Sequence, residues 1–218
     1  MYTLITYTTL HPEEKNTINE RIISQVAQTG RPVVCVHGWK PGCVNVGAGQ
    51  DIAQAVDVQE AQRQGLVVVQ RAGGGGTMYL SEDGEVSWML AYPTRTQDIN
   101  EDYADVCGRV VDALATLGIE AQHKPINDVV TANGKISGAT ARRTQGVTYV
   151  GGTLLYSVDR EKLWAALYPH GVDSKGRAVS TRALTSVQEE CGASKQELIC
   201  ALQHALTQGR FEVADALA

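Results

Sequence analysis

A mixed α/β or α+β domain, in preference to a purely parallel sheet, is the fold class this chain predicts. Three observations carry that expectation. Apolar, β-prone runs at 33–36, 66–69 and 86–90 are interspersed with stretches of helical period. Two connections look like hairpins, which join antiparallel strands. Finally, 218 residues with 43% hydrophobic and 20% charged side chains suffice for one sizeable core, and no repeat or low-complexity linker divides them.

Pro12 suits a first helical position, with Glu13 and Glu14 in the first turn. Ile18, Ile22 and Val26 then recur at four-residue spacing until Gly30 stops the pattern. A strand over 33–36 follows. Val44-Asn45-Val46 alternates before Gly47-Ala48-Gly49, a close-approach turn. A short helix from Asp57 to Gln64 leads into a buried strand, 66–69. The run 86–90 is a strand that is apolar on both faces. Tyr103, Val106, Val110, Leu114 and Leu117 step by three and four residues, a helix that Gly118 ends. Asn133-Gly134 lies between β-prone stretches and marks a hairpin whose two central positions take φ > 0. Residues 147–150 and 153–156 read as one long strand, whose Gly151-Gly152 pair implies a bulge or a bound ligand. A helix covers 161–167. Ser194 and Glu197 form a capping box for a last helix carrying Leu198, Leu202 and Leu206. The glycine- and charge-rich stretch 169–177 has the composition of a loop.

Composition excludes some classes of function. A net charge of −5 gives no electrostatic case for binding nucleic acid or an anionic membrane. The first residues lack the basic region and apolar run of a signal peptide, and no stretch approaches transmembrane length, so a cytoplasmic setting is expected. Five cysteines with no Cys-x-x-Cys pair suggest neither a disulfide framework nor a zinc site. The five histidines are scattered, and most are expected at the surface or in local hydrogen bonds.

Two segments carry the chemistry. Arg71-Ala72-Gly73-Gly74-Gly75-Gly76-Thr77 follows the 66–69 strand. Consecutive glycines lose more backbone entropy on folding than other residues, and the usual gain is a backbone that a ligand approaches closely. The segment suggests a site for an anionic or acyl small molecule, with a flexible turn as the bland alternative. The second segment is Asn127-Asp128 followed by Asn133-Gly134-Lys135-Ile136-Ser137-Gly138. It puts a lysine at a hairpin mouth beside small residues that leave it accessible.

Together these segments resemble the lipoate–protein ligase family, within the biotin/lipoate ligase and octanoyltransferase superfamily. The family's Arg-x-x-Gly-Gly-Gly loop reads here as Arg71 to Gly75, and its Asn-Asp pair as Asn127-Asp128. Its Lys-[Ile/Val]-Ser-Gly-x-Ala motif reads as Lys135-Ile136-Ser137-Gly138-Ala139, and its Gly-Thr-Leu-Leu strand as Gly152-Thr153-Leu154-Leu155. The order and separations also agree, over about residues 10 to 200. The resemblance implies a mainly antiparallel sheet flanked by helices, in a single catalytic domain over 1–218 with no C-terminal accessory domain.

It further implies an ATP-dependent activation of lipoate or octanoate to an acyl-adenylate, then transfer to a lysine of a lipoyl-acceptor domain. Lys135 would be the catalytic cation between carboxylate and α-phosphate. Gly73, Gly74, Gly75, Gly76, Thr77, Ser137, Gly138, Gly152 and Thr153 would line substrate and nucleotide. Arg71 would fork onto a carboxylate or phosphate, or else brace the loop. Asn127 belongs to the same site. Asp128 would hold Mg²⁺, orient Lys135 or start a turn, and these stay open. Arg142 and Arg143 would reach phosphate or form a basic face. Val44, Val46, Gly47 and the 147–155 strand are candidate walls for an apolar tail, or plain core. The stretch 169–177 matches a loop that moves on ligand binding.

The chain departs from the family pattern in three places. Gly151 stands where a pocket histidine is common, Leu80 replaces another after the glycine loop, and the larger ligases' accessory domain has no counterpart, which suggests a separate accessory subunit. The alternatives are an octanoyltransferase, for which Cys43 is the nearest candidate nucleophile, and a non-catalytic acyl-binding relative.

Overall fold

The computed structural model describes residues 1–167 and 184–214. The stretch 169–177 lies outside them. In chain order the elements are β1 (Tyr2–Leu10), a 3₁₀ turn (Pro12–Glu14), α1 (Lys15–Thr29), β2 (Val33–Trp39), β3 (Cys43–Val46), α2 (Ile52–Ala55) and α3 (Val58–Arg63). Then come β4 (Val67–Gln70), β5 (Met78–Leu80), β6 (Glu85–Pro93), α4 (Ile99–Thr116), β7 (Gln122–Lys124), β8 (Asp128–Val130), β9 (Lys135–Thr144) and β10 (Val147–Leu155). The chain continues with α5 (Arg160–Leu167), α6 (Val187–Glu190), α7 (Lys195–Thr207) and β11 (Phe211–Ala214).

Among the described residues, eight strands form one sheet in the order β11-β1-β2-β6-β10-β9-β8-β7, and β4-β3-β5 form a second. Every pairing from β2 across to β7 is antiparallel, while β1 pairs in parallel with β2 and β11. The result is the mainly antiparallel, helix-flanked sheet that the sequence suggested. β6 is buried on both faces. Its Val86, Trp88, Leu90 and Tyr92 pack with α4 and α7, and Met89 and Ala91 pack with Ile18, Ile22, Ile23 and Val26 of α1. Each fully buried aliphatic side chain of this kind contributes roughly 1.5–3 kcal/mol. A third cluster joins the small sheet to α3 and α5. No helix among the described residues is long and apolar enough to cross a membrane.

Most helix boundaries follow their signals. Gly30 adopts φ 66° and closes α1 through Val26 O, Asp57 caps α3, and Ser194 and Glu197 make both bonds of the capping box. Several strand expectations are corrected. β1 and β11 carry no signal that the sequence reading used. The 66–69 strand is only half-buried, because β4 is an edge strand. β3 does not alternate, since all four of its residues are buried between layers. The Asn133-Gly134 connection is a four-residue loop between β8 and β9, and only Gly134 takes positive φ. Finally, β10 has no bulge at Gly151-Gly152, for its register with β6 and β9 runs unbroken. The glycines are there for space. A Cβ on Gly152 would lie 2.5 Å from Trp88 Cζ2 and 2.6 Å from Gly138 O, and one on Gly151 would lie 2.7 Å from Tyr149 Oη.

Candidate active site

The antiparallel register lines up one residue from each of five strands: His37 (β2), Ser87 (β6), Thr153 (β10), Gly138 (β9) and Asp128 (β8). Directly paired residues point to the same face. The row therefore forms a floor, and all five line one cavity of about 1000 Å³. Four strand spacings of about 4.8 Å give it a length of roughly 19 Å. The glycine loop walls the same cavity.

Arg71 shapes that loop. Its Nη1 donates to Asn45 O at 2.8 Å, and its Nη2 donates to Gly74 O at 2.8 Å and Gly76 O at 2.7 Å. Ala48 N donates to Gly73 O at 3.1 Å. A Cβ on Gly47 would sit 2.1 Å from Gly75 O, so that carbonyl too is packed against protein. The loop's carbonyls face inward, and among the described residues no N–H of Gly73–Gly76 donates a hydrogen bond. Gly75 reaches φ 97°, a conformation that favours glycine. The arginine's terminal nitrogens are thus committed to β3 and the loop, which is the bracing role.

Lys135 opens β9. A regular ladder would put it on the face opposite Asp128, because Asp128 pairs with Gly138 and side chains alternate. A register shift between Val129 and Val130 brings Lys135 to the Asp128 face. Its Nζ lies 2.6 Å from Asp128 Oδ1, with the side chains 29% and 25% exposed. A Cβ on Gly138 would lie 2.8 Å from that Nζ, so the glycine leaves room for the ammonium.

Of the other residues picked out from sequence, Gly74, Gly75, Gly76, Thr77, Asn127, Ser137, Gly152 and Thr153 also line the cavity. Gly73 does not, and faces a smaller adjoining cavity. Several of these side chains are committed. Thr77 Oγ1 donates to Gln50 Oε1, Asn127 Nδ2 donates to Ala139 O, and Ser137 Oγ donates to Thr153 O. Asn127 and Ser137 therefore hold β8, β9 and β10 in place. Arg142 pairs with Glu20 and Arg143 with Asp102, and neither lines the main cavity. Val44 and Val46 belong to the core, whereas Tyr149, Gly151 and Leu155 of β10 are walls. Cys43 is buried, its thiol is pushed up to about 12 by burial, and no cysteine is among the described lining residues.

Sequence reasoning missed Lys15, His37, Asn45 and Trp88. His37 is 2% exposed, with Nδ1 in local contact with Cys35 Sγ, and burial beside Lys15 holds it down to about 3. Burial lowers Lys15 to about 8. His37 Nε2, Asn45 Oδ1, Arg71 Nε and Trp88 Nε1 are buried without a hydrogen-bond partner, and all four residues line the cavity. Buried polar atoms are nearly always paired, so four exceptions around one cavity suit a polar ligand. The available signal was a histidine and an asparagine inside otherwise apolar strands.

Asp128 is the one carboxylate among the described lining residues, and the described residues hold no cluster of three or more His, Cys, Asp or Glu. With Oδ1 on Lys135, the donor set fits Mg²⁺ only as an ion held chiefly by substrate phosphates.

The chain matches the family described as lipoyl protein ligase A/B catalytic domain over residues 11–207. A protein of Aeropyrum pernix carrying a lipoate-protein ligase A name is 28% identical over 153 residues, 70% of this chain and 56% of that protein. The octanoyltransferase LipM of Geobacillus kaustophilus is 24% identical over 191 residues, 71% of this chain and 68% of that one. A solved lipoate-protein ligase A bound with ATP gives a TM-score of 0.84 at 19% identity, covering 99% of this chain and 90% of that one. A bi-partite lipoate protein ligase of Thermoplasma acidophilum, solved with its E2 lipoyl domain, gives 0.77 at 18%, covering 99% and 89%. The two structural likenesses carry the fold. The chain spans about half the length of the curated ligases it matches, 56% of one and 40% of another.

Proposed function

This chain belongs to the lipoyl protein ligase A/B catalytic-domain family, and from that premise we propose that it is the catalytic subunit of an ATP-dependent lipoate–protein ligase. One observation supports this reading above the others. A loop with inward carbonyls and uncommitted N–H groups walls the same cavity as the Lys135–Asp128 pair. Such N–H groups form an anion-binding concavity, which suits phosphate.

In the proposed reaction a carboxylate oxygen of the acid attacks the α-phosphorus of ATP, and pyrophosphate leaves. Lys135 lies between the two anions and stabilises the charge that develops. To do so its ammonium turns from Asp128 toward substrate, and Asp128 keeps it on the cavity side. The amine of an acceptor lysine then attacks the acyl carbon, AMP leaves, and the amine loses its proton. Mg²⁺, held mainly by the phosphates, would supply charge neutralisation, with Asp128 Oδ2 as its protein contact. A lipoyl-acceptor domain is the proposed partner, with a separate accessory protein by analogy with the bi-partite T. acidophilum ligase.

The octanoyltransferase reading has the G. kaustophilus relative in its favour. It needs a nucleophilic thiolate, and the described cavity lining contains no cysteine. Pyrophosphate release with lipoate or octanoate and Mg-ATP tests the ligase reading. The wild type releases pyrophosphate, and Lys135→Ala lowers the rate about 100-fold or more with an unchanged circular dichroism spectrum. Near-normal release by the variant, or an ATP-independent acyl-thioester on the protein in mass spectrometry, refutes it.

A further inference from the structure

At the end of the floor opposite Lys135, polar side chains from three elements line the cavity with capacity left over; His37 engages Cys35 Sγ through Nδ1 at 4.0 Å and leaves Nε2 unpaired. The side chain of Lys15, at the start of α1, makes no hydrogen bond or ion pair among the described residues. Its Nζ has only the Trp39 ring, 4.9 Å from the centroid. His37 of β2 packs edge-on against the same ring at 4.8 Å, and its Nε2 is orphaned. Asn45 of β3 is 3% exposed, with Oδ1 orphaned. Trp39 is itself fixed, since its Nε1 donates to Ser87 Oγ of the floor at 2.8 Å.

An ammonium there is disfavoured twice, by burial and by the positive end of the α1 dipole. The charges around it offer no compensation. Arg71 is a second cation, Cys43 is a buried thiol, His37 is neutral, and Glu85 is pushed up to about 8 by burial and is largely protonated at neutral pH. A saturated hydrocarbon tail laid along the floor would leave all three groups unsatisfied.

We propose that Lys15, His37 and Asn45 form a specificity subsite for an anionic or strongly hydrogen-bond-accepting group at the far end of the acyl ligand. The preferred substrate is then a carboxylic acid polar at both ends. One end is activated at Lys135, and the other is held toward the Trp39 end of the floor. This deepens the ligase reading and rests on it. Lys15 supplies the charge and neutral His37 an N–H, and Asn45, whose orphaned atom is the acceptor Oδ1, adds a donor by turning its amide so that Nδ2 faces the ligand.

Calorimetric binding of octanoate and of suberate tests the subsite, because the two acids share a chain length and differ by a terminal carboxylate. Suberate binds the wild type about tenfold or more tighter than octanoate at pH 7. The preference falls as pH rises through about 8, where Lys15 loses its charge. Lys15→Met removes the preference, and Lys15→Arg retains part of it, so the argument survives a poorly folding Met variant. Equal or tighter binding of octanoate by the wild type overturns the subsite alone. So does a Lys15→Met variant that keeps the preference while its KM for ATP rises, since the lysine then serves phosphate. Failure to bind either acid removes the acid-ligase reading together with the subsite.

Discussion

Gly138 and Gly152, on neighbouring strands, would meet an added methyl group in opposite ways. At Gly138 the methyl meets the far end of the Lys135 side chain, which can move. Gly138→Ala is therefore expected to cut the rate of acid activation tenfold or more while shifting Tm by no more than about 2 °C, the size of a surface change. At Gly152 the methyl meets the Trp88 ring and a backbone carbonyl, which cannot. Overpacking of that kind costs about 1–3 kcal/mol, so Gly152→Ala should lower Tm by roughly 3–10 °C in a thermal melt. Equal melting temperatures for the two variants would contradict this. Lys135 was legible in the sequence because Asn133-Gly134 and the residues after it form a local pattern. Its pairing with Asp128 was only one of three options, because the register shift that decides it is not a local feature. Lys15 and His37 were illegible for a related reason. A lysine in a first helical turn looks like surface until β2 and the glycine loop close over it.

At the scale of elements, the glycine loop depends on one arginine. Arg71 makes three charge-assisted bonds to carbonyls, and its removal leaves those acceptors poorly satisfied. Arg71→Met is expected to cost on the order of 3 kcal/mol in urea unfolding and to weaken nucleotide binding at least about tenfold, as the N–H groups lose their common orientation. A variant with wild-type nucleotide affinity would show that the loop orients itself without the arginine. The sequence announced the loop. It was silent on which face the carbonyls take, because that depends on Asn45 and Ala48, in and just after the neighbouring strand β3. The longer helices were legible because caps and periodicity are local, whereas the four-residue α2 and α6 are too short to show a period. β11 escaped because three of its four residues are exposed and show no alternation.

For the whole molecule, the buried carboxyl of Glu85 sets part of the pH dependence. It is 1% exposed, and burial raises it from 4.5 to about 8, against the pull of Lys195 and the Ser81 backbone. Between those values the folded chain holds a proton that the unfolded chain has released, so stability falls as pH rises from about 4.5 toward 8. His37 acts in the other direction. Its lowered value makes the unfolded chain bind more protons between about 6.5 and 3, so stability also falls on acidification through that window. Glu85→Gln should flatten the alkaline limb, raising Tm by several degrees at pH 8 and little at pH 4.5. A variant whose Tm tracks the wild type across that range would mean the carboxyl is ionised in the fold. That the sheet is not purely parallel was legible because strand runs and hairpin signals survive in sequence, while its mainly antiparallel pairing was implied by the family resemblance. The alignment of five strands into one floor was not, since it is a property of pairing between residues as distant as Ser87 and Thr153. That floor has a consequence for folding. A site whose five contributors come one from each strand cannot be half-built, so a bound molecule gains its affinity only from chains in which the entire central sheet is assembled. Occupancy then acts as a splint on global opening, with a free-energy gain set by ligand concentration over Kd. Amide exchange should slow to a similar extent in β2 and in β8, although the two strands share no hydrogen bond.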